Sequence, residues 1–156
     1  MAPMSPGPIV LDASVTGAFV FKESKTPLAT AVCARIVSGE LEAYVPDLYW
    51  AELQNICRRK RDEQGLSQSD IELAYRDATA LPVAEEDDSL LRHRSRAWEL
   101  IGTVAQIGSY DFYYLALAEH LSAPVWTFDA RFRNAVVAAG GTLSALVQLV
   151  GTDVTP

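Results

Sequence analysis

Four carboxylates stand in settings where their chemistry could be shared. Asp12 follows the apolar run Ile9-Val10-Leu11, and Asp129 follows Val125-Trp126-Thr127-Phe128. Glu52 lies among Trp50, Ala51 and Leu53, just beyond Pro46, and Asp111 comes directly after Gly108-Ser109-Tyr110. Carboxylates gathered at one place repel unless a proton or a cation sits between them. The only histidines, His93 and His120, are distant from all four in sequence. An oxygen-only ligand set suits Mg²⁺ or Mn²⁺ rather than zinc. Such an ion can hold a phosphate, activate a water and stabilise a leaving oxygen, which describes a metal-dependent phosphodiesterase. Taken singly, each acid has a plainer role as an N-cap, a first-turn acid or a solvated helix residue.

The elements around these acids alternate. Pro8–Asp12 is a short apolar strand suited to burial on both faces, with Ser14–Phe21 starting a helix behind it. Pro27–Val37 carries apolar residues at helical spacing and stops at Gly39. A second strand, Leu41–Val45, closes at Pro46, and Asp47 is placed to cap a helix from Leu48 to Gln64 that ends at Gly65. Ser67 to Glu72 offers overlapping capping-box spacings, so a further helix should run to Thr79. Leu81–Val83 is a weak strand. Asp87–Ile107 is expected to be one helix, broken at Gly108-Ser109, with Tyr110–Leu121 the next. Pro124–Asp129 forms another strand, Ala130–Ala139 a helix, and Thr142–Val150 a last strand. This order predicts a three-layer α/β/α domain, its mainly parallel central sheet of four to five strands covered by helices on both faces. In open sheets of this kind ligands bind beyond the carboxyl ends of the strands, where Asp12 and Asp129 fall, and early helix turns could bring Glu52 and Asp111 to the same edge.

At 156 residues, about half of them apolar, the chain suits one domain with a sizeable core. We expect a lead at 1–8, a single domain over 9–150 and a tail at 151–156. No apolar run is long enough for a membrane span, and the lead lacks the pattern of a signal peptide. Cys33 and Cys57 fall in helical segments and are expected to be buried free thiols, as suits the cytoplasm. The net charge of −7 argues against an extended nucleic-acid groove, because phosphate neutralisation governs such binding. It leaves room for a nuclease whose carboxylates gather cations.

The local contexts carry a more specific signal. Ile9-Val10-Leu11-Asp12-Ala13-Ser14, the Val45–Asn55 segment with Glu52 and Asn55 three residues apart, Tyr110-Asp111-Phe112-Tyr113-Tyr114-Leu115-Ala116-Leu117-Ala118, and Trp126-Thr127-Phe128-Asp129-Ala130-Arg131-Phe132 occur in that order. Together they resemble the motifs of the PIN-domain family, and in particular its VapC-like toxin ribonucleases. The resemblance spans about Ile9 to Gly140. It implies a cytoplasmic endoribonuclease in which Asp12, Glu52, Asp111 and Asp129 hold one or two Mg²⁺ or Mn²⁺ ions. A water activated there would attack the RNA phosphodiester in line. Ser14, Asn55 and Thr127 would orient the carboxylates or the water, and Arg131 is the candidate RNA contact.

It also implies a cognate VapB-like antitoxin, whose arginine could compete with metal among the acids, and a homodimer. Tyr49, Trp50, Tyr113 and Tyr114 are candidates for a groove, a dimer interface or the core. The basic run Arg58–Arg61 is expected to be a solvated helix end, with His93 and His120 at the surface. Two other functions stay open: a PIN-domain RNA-processing nuclease without an antitoxin, and a catalytically inactive PIN-like protein-binding module.

Overall fold

The computed structural model describes residues 7–156. Of the expected lead, residues 1–6 lie outside that range. Five strands form one parallel sheet: β1 (Gly7–Leu11), β2 (Leu41–Pro46), β3 (Val83–Glu86), β4 (Val125–Thr127) and β5 (Val147–Leu149), in the spatial order β3-β2-β1-β4-β5. The most apolar strands take the middle. Val10 pairs with both Tyr44 and Val125, and Val10, Leu11 and Val125 are fully buried.

Seven helices connect and cover the sheet: α1 (Ala13–Val20), α2 (Thr26–Val37), α3 (Tyr49–Gln64), α4 (Gln68–Thr79), α5 (Arg92–Leu100), α6 (Ser109–Leu121) and α7 (Ala130–Ala139). From β1 the chain steps outward through β2 to β3, then returns to the far side of β1 as β4. Right-handed crossovers put the helices of these two directions on opposite faces. Accordingly α1, α3 and α4 pack on one another, while α5 pairs with α6, which lies against β1, β2 and β4. The reversal between β1 and β4 is the topological switch point, where the strand ends splay and leave a crevice. This is the expected α/β/α architecture with its five-stranded parallel sheet.

Several details differ from the sequence expectation. Asp47 does not cap α3: the helix starts at Tyr49 with Leu48 as N-cap and no side-chain capping bond, and Asp47 is exposed. The long helix expected over Asp87–Ile107 is only α5. Asp88 caps it from outside, taking the His93 and Arg94 amides at 2.8 and 2.9 Å, and Leu91 adopts a left-handed φ of 56° just before it. Charge composition alone did not reveal that break. The last strand shrinks to β5 because Gly141–Leu143 winds into a 3-10 turn. His93 is not at the surface; it is 4% exposed, on the inner side of α5 beside His120, which is exposed.

Tyr49 and Tyr114 are fully buried core residues, not a groove or an interface. The Tyr49 hydroxyl is satisfied inside by Thr16 at 2.6 Å. The polar stretch after Arg58 is anchored to the domain, since α4 buries Ala74 and Ala78 against α1 and α3. Its capping box does form, with Ser67 and Asp70 exchanging bonds. Cys33 and Cys57 are buried and free. No helix among the described residues is long and apolar enough to cross a membrane.

Candidate active site

Each of the four acids sits at the start of a helix. Asp12 and Asp129 are the N-caps of α1 and α7, directly beyond the adjacent strands β1 and β4. Glu52 and Asp111 are in the first turns of α3 and α6. The positive ends of helix dipoles favour negative charge at these positions. All four line one cavity of about 190 Å³, together with Ser14, Asn55, Arg59 and Tyr110. They share the cavity without closing a cage: among the described residues no three acidic, histidine or cysteine side chains stand close enough to enclose an ion.

The hydrogen bonds divide each carboxylate between structure and cavity. On Asp12 the Ser14 and Thr127 hydroxyls both donate to Oδ2, Thr127 at 2.7 Å, and among the described residues Oδ1 receives nothing. Asp129 uses Oδ1 to cap the Arg131 and Phe132 amides at 2.8 and 3.1 Å. Asp111 uses Oδ2 to accept from the Gly108 amide at 2.9 Å. Glu52 takes no hydrogen bond within the described residues, and its Oε2 is buried without a partner, as is the Tyr114 hydroxyl. None of the four acids has a basic side chain within salt-bridge distance among the described residues.

The electrostatics follow from this crowding. Burial raises the Asp12 carboxyl above its ordinary range, against the lowering effect of the Ser14 and Thr127 hydroxyls. Burial pushes Glu52 up to about 7, offset in part by the nearby Tyr114 hydroxyl and reinforced by the charges of Asp12 and Asp111. Asp111 is pushed up to about 6, again by burial first, with the Gly108 amide and the charge of Arg131 pulling the other way. Orphaned, repelling carboxylate oxygens with raised proton affinity are what a divalent cation would satisfy. The donor chemistry is that of an oxygen-binding divalent ion, four carboxylates on one cavity, although among the described residues the side chains as they stand do not close on an ion.

The partners expected around the acids are placed unevenly. Ser14 and Thr127 hold Asp12 and link it to the next strand end, since the Phe128 amide donates to Ser14 Oγ at 3.1 Å and the Asp129 amide to Thr127 Oγ1 at 2.9 Å. Asn55 lines the cavity, but its Oδ1 accepts from Arg58 at 3.0 Å and touches no carboxylate. Arg131 stands in the wall of an adjoining cavity. Sequence reasoning named Arg59 only within a solvated basic run and Tyr114 only as a groove, interface or core residue, and placed neither beside the acids. Arg59 is seven residues beyond Glu52 on the same helix, hence on the same face, and Tyr114 is three beyond Asp111, so helical spacing could have found both.

A PIN-domain family model matches residues 9–137. The chain belongs to the PIN-domain family. That match contains all four acids, and the family is one of ribonucleases. Among solved structures, this PIN domain is similar in fold to the Mycobacterium tuberculosis toxin VapC20, described as cleaving the sarcin–ricin loop. The likeness has a TM-score of 0.61 at 16% identity and covers 81% of this chain and 94% of VapC20. No curated protein matches the chain.

Proposed function

We propose that this PIN domain is a metal-dependent endoribonuclease that acts as the toxin of a toxin–antitoxin pair. The observation that carries the reading is the convergence of Asp12, Glu52, Asp111 and Asp129 on one cavity at the switch point, each with an unclaimed oxygen. The family membership and the fold likeness to a toxin that cleaves an RNA loop support RNA as the substrate class. Mg²⁺ or Mn²⁺ bound by the spare oxygens of these acids would supply a Lewis acid for the phosphate and lower the pKa of the attacking water.

The chain's own residues have definable parts. Ser14 and Thr127 fix Asp12 in one orientation, so that its free Oδ1 is presented without rotational loss. Asp129 and Asp111 are pinned in the same way through the amides they cap. Glu52, pushed up to about 7 by burial, is the one of the four acids placed to exchange a proton near neutral pH. Arg131, next to Asp129 at the start of α7, offers a cation to a phosphate of the strand. Asn55 would join them if Arg58 releases its carbonyl.

The same cavity explains how a VapB-like antitoxin would inhibit. An arginine inserted among four carboxylates makes charge-assisted bonds where the cation otherwise binds. Partly buried Trp50 and Tyr113 belong to the surface we assign to that partner or to a second copy in a homodimer. The cell compartment for this work is the cytoplasm, where the RNA lies. Expression in a bacterial host tests the toxin reading. Growth arrest by the wild type, absent with Asp12→Asn, is the expected result. Unimpaired growth while the purified protein cleaves RNA would overturn the toxin reading and leave an RNA-processing nuclease.

A further inference from the structure

On the other face of the sheet from α1 and α3, helices α5 and α6 flank a cavity of about 220 Å³. Arg92, His93 and Arg96 of α5 and Ala116, Glu119 and His120 of α6 line it. Spacings of one, three and four residues put each trio on one side of its helix. None of the six takes part in the acidic cavity, and Glu119 and His120 come eight and nine residues after Asp111. At the rise of an α-helix they stand about 12 Å along α6 from that acid.

His93 makes this more than a surface cluster. It is 4% exposed, and its Nε2 is buried with no hydrogen-bond partner among the described residues. Asp88 stands 4.0 Å from Nδ1, beyond hydrogen-bond reach, and its two oxygens are already taken by the His93 and Arg94 amides. The ring proton is therefore not claimed on that side, and Nε2 is free to carry it. A buried ring nitrogen without a partner is costly, and a ligand in the cavity would relieve it. The His120 ring lies beside it, with centroids 5.2 Å apart and planes tilted by 59°.

Charge sorts the ligand by sign. Arg96 is spent on Glu119, through bonds of 2.6 and 2.9 Å, and on Glu99 at 2.8 Å. Among the groups that line the cavity Arg96 and Glu119 cancel. Arg92 has no carboxylate within salt-bridge distance among the described residues. One uncompensated guanidinium beside two imidazoles favours an anion over a metal cation. Volume sorts it by size: 220 Å³ falls below the roughly 300–1,000 Å³ of sites for drug-sized ligands, so a nucleoside is too large and a phosphate group is not. A planar carboxylate is met by a guanidinium fork, as Glu119 is by Arg96, whereas donors from two helices on tilted rings suit a tetrahedral group.

We propose that the cavity between α5 and α6 binds one phosphate group, held by Arg92, by the His93 Nε2–H and by His120. The site is separate from the acids and stands whether or not they cleave RNA. An RNA strand and free inorganic phosphate carry the same group, and two titrations separate the sources.

In EDTA, inorganic phosphate is titrated into ¹⁵N-labelled protein at constant ionic strength, with chloride as the balancing salt. The expected result is saturable shifts of the His93 and His120 ring nitrogens and of the Arg92 amide, with the Asp12 and Asp129 amides unmoved. Reading His93 in the wild type avoids substituting a buried residue. Arg92→Met, at an exposed position, should weaken this binding about tenfold, the loss of one charge-assisted hydrogen bond. His120→Gln, also exposed, should weaken it less.

A fluorescein-labelled 12-nucleotide RNA is then titrated against salt. With RNA as the source, the same ring nitrogens move, and Arg92→Met lowers the slope of log K against log salt by about 0.7, the value of one single-strand phosphate contact. Shifts with inorganic phosphate alone keep the site and assign it to the free ion. Ring nitrogens unmoved by either, or moved equally by chloride, would overturn the site and leave the reading of the acidic cavity untouched. Shifts with poly-glutamate but not with phosphate would overturn it in favour of a carboxylate ligand.

Discussion

Asp12 gives one oxygen to the fold and keeps the other free, and this division recurs around the cavity. Its Oδ2 accepts from Ser14 and Thr127, much as Asp129 and Asp111 each spend one oxygen on backbone amides. Glu52 departs from the pattern, with no bond to hold it and a buried, unpartnered Oε2. A carboxylate in that state stabilises nothing in the metal-free protein. Glu52→Gln should therefore leave the melting temperature at pH 8 in EDTA equal to or above that of the wild type, while RNA cleavage falls at least about tenfold, a modest share of what one general base contributes. Thermal melts and cleavage assays on the same preparation check both halves. A clear loss of stability would show that Glu52 serves the fold instead. Ser14 and Asn55 were both named by resemblance as groups that orient the acids or the water; Ser14 does bond Asp12, whereas Asn55 is taken up by Arg58.

At the scale of elements, four helix starts are aimed at one sheet edge, and this explains why the site was legible from local sequence. Apolar runs ending in an acid fixed β1 and β4, and helical spacing fixed α2, α3, α6 and α7 to within a residue or two. Failures came where the deciding interaction was not local. Asp88 reaches five and six residues ahead to cap α5, and its neighbour Leu91 takes a left-handed φ that no composition signals. His93 was misplaced for the same reason: its burial depends on α6, far along the chain. Gly65 shows the opposite case, a stop that sequence alone predicted and that the φ of 62° accounts for. Nothing lies within 4 Å of a Cβ built there, so Gly65→Ala tests conformation alone. It should cost about 1 kcal/mol in urea unfolding and leave cleavage unchanged, because α3 is strained only at its far end from Glu52. A fall in activity per folded molecule would show that the end of α3 communicates with the site.

The whole molecule couples its charge pattern to its stability. Burial raises the carboxyls of Asp12, Glu52 and Asp111 above their ordinary values, Glu52 to about 7 and Asp111 to about 6. Between the ordinary carboxylate range and those values the folded chain binds more protons than the unfolded one, so stability falls as pH rises. The metal-free protein should lose melting temperature from pH 5 to pH 8 in EDTA. Saturating Mg²⁺ should restore more of it at pH 8 than at pH 5, since ion and proton compete for the same oxygens. A flat profile in EDTA would contradict the account of a strained acidic cluster.

The central claim, that four carboxylates at the β1–β4 switch point make a metal-dependent ribonuclease, is tested most directly by cleavage of total cellular RNA. Purified wild type and Asp12→Asn are compared in Mg²⁺, Mn²⁺ and EDTA, with melting curves to show that both are folded. Discrete fragments from the wild type alone, lost in EDTA and restored by adding back metal, are the predicted result. Cleavage that survives chelation, or equal cleavage by Asp12→Asn, would contradict it.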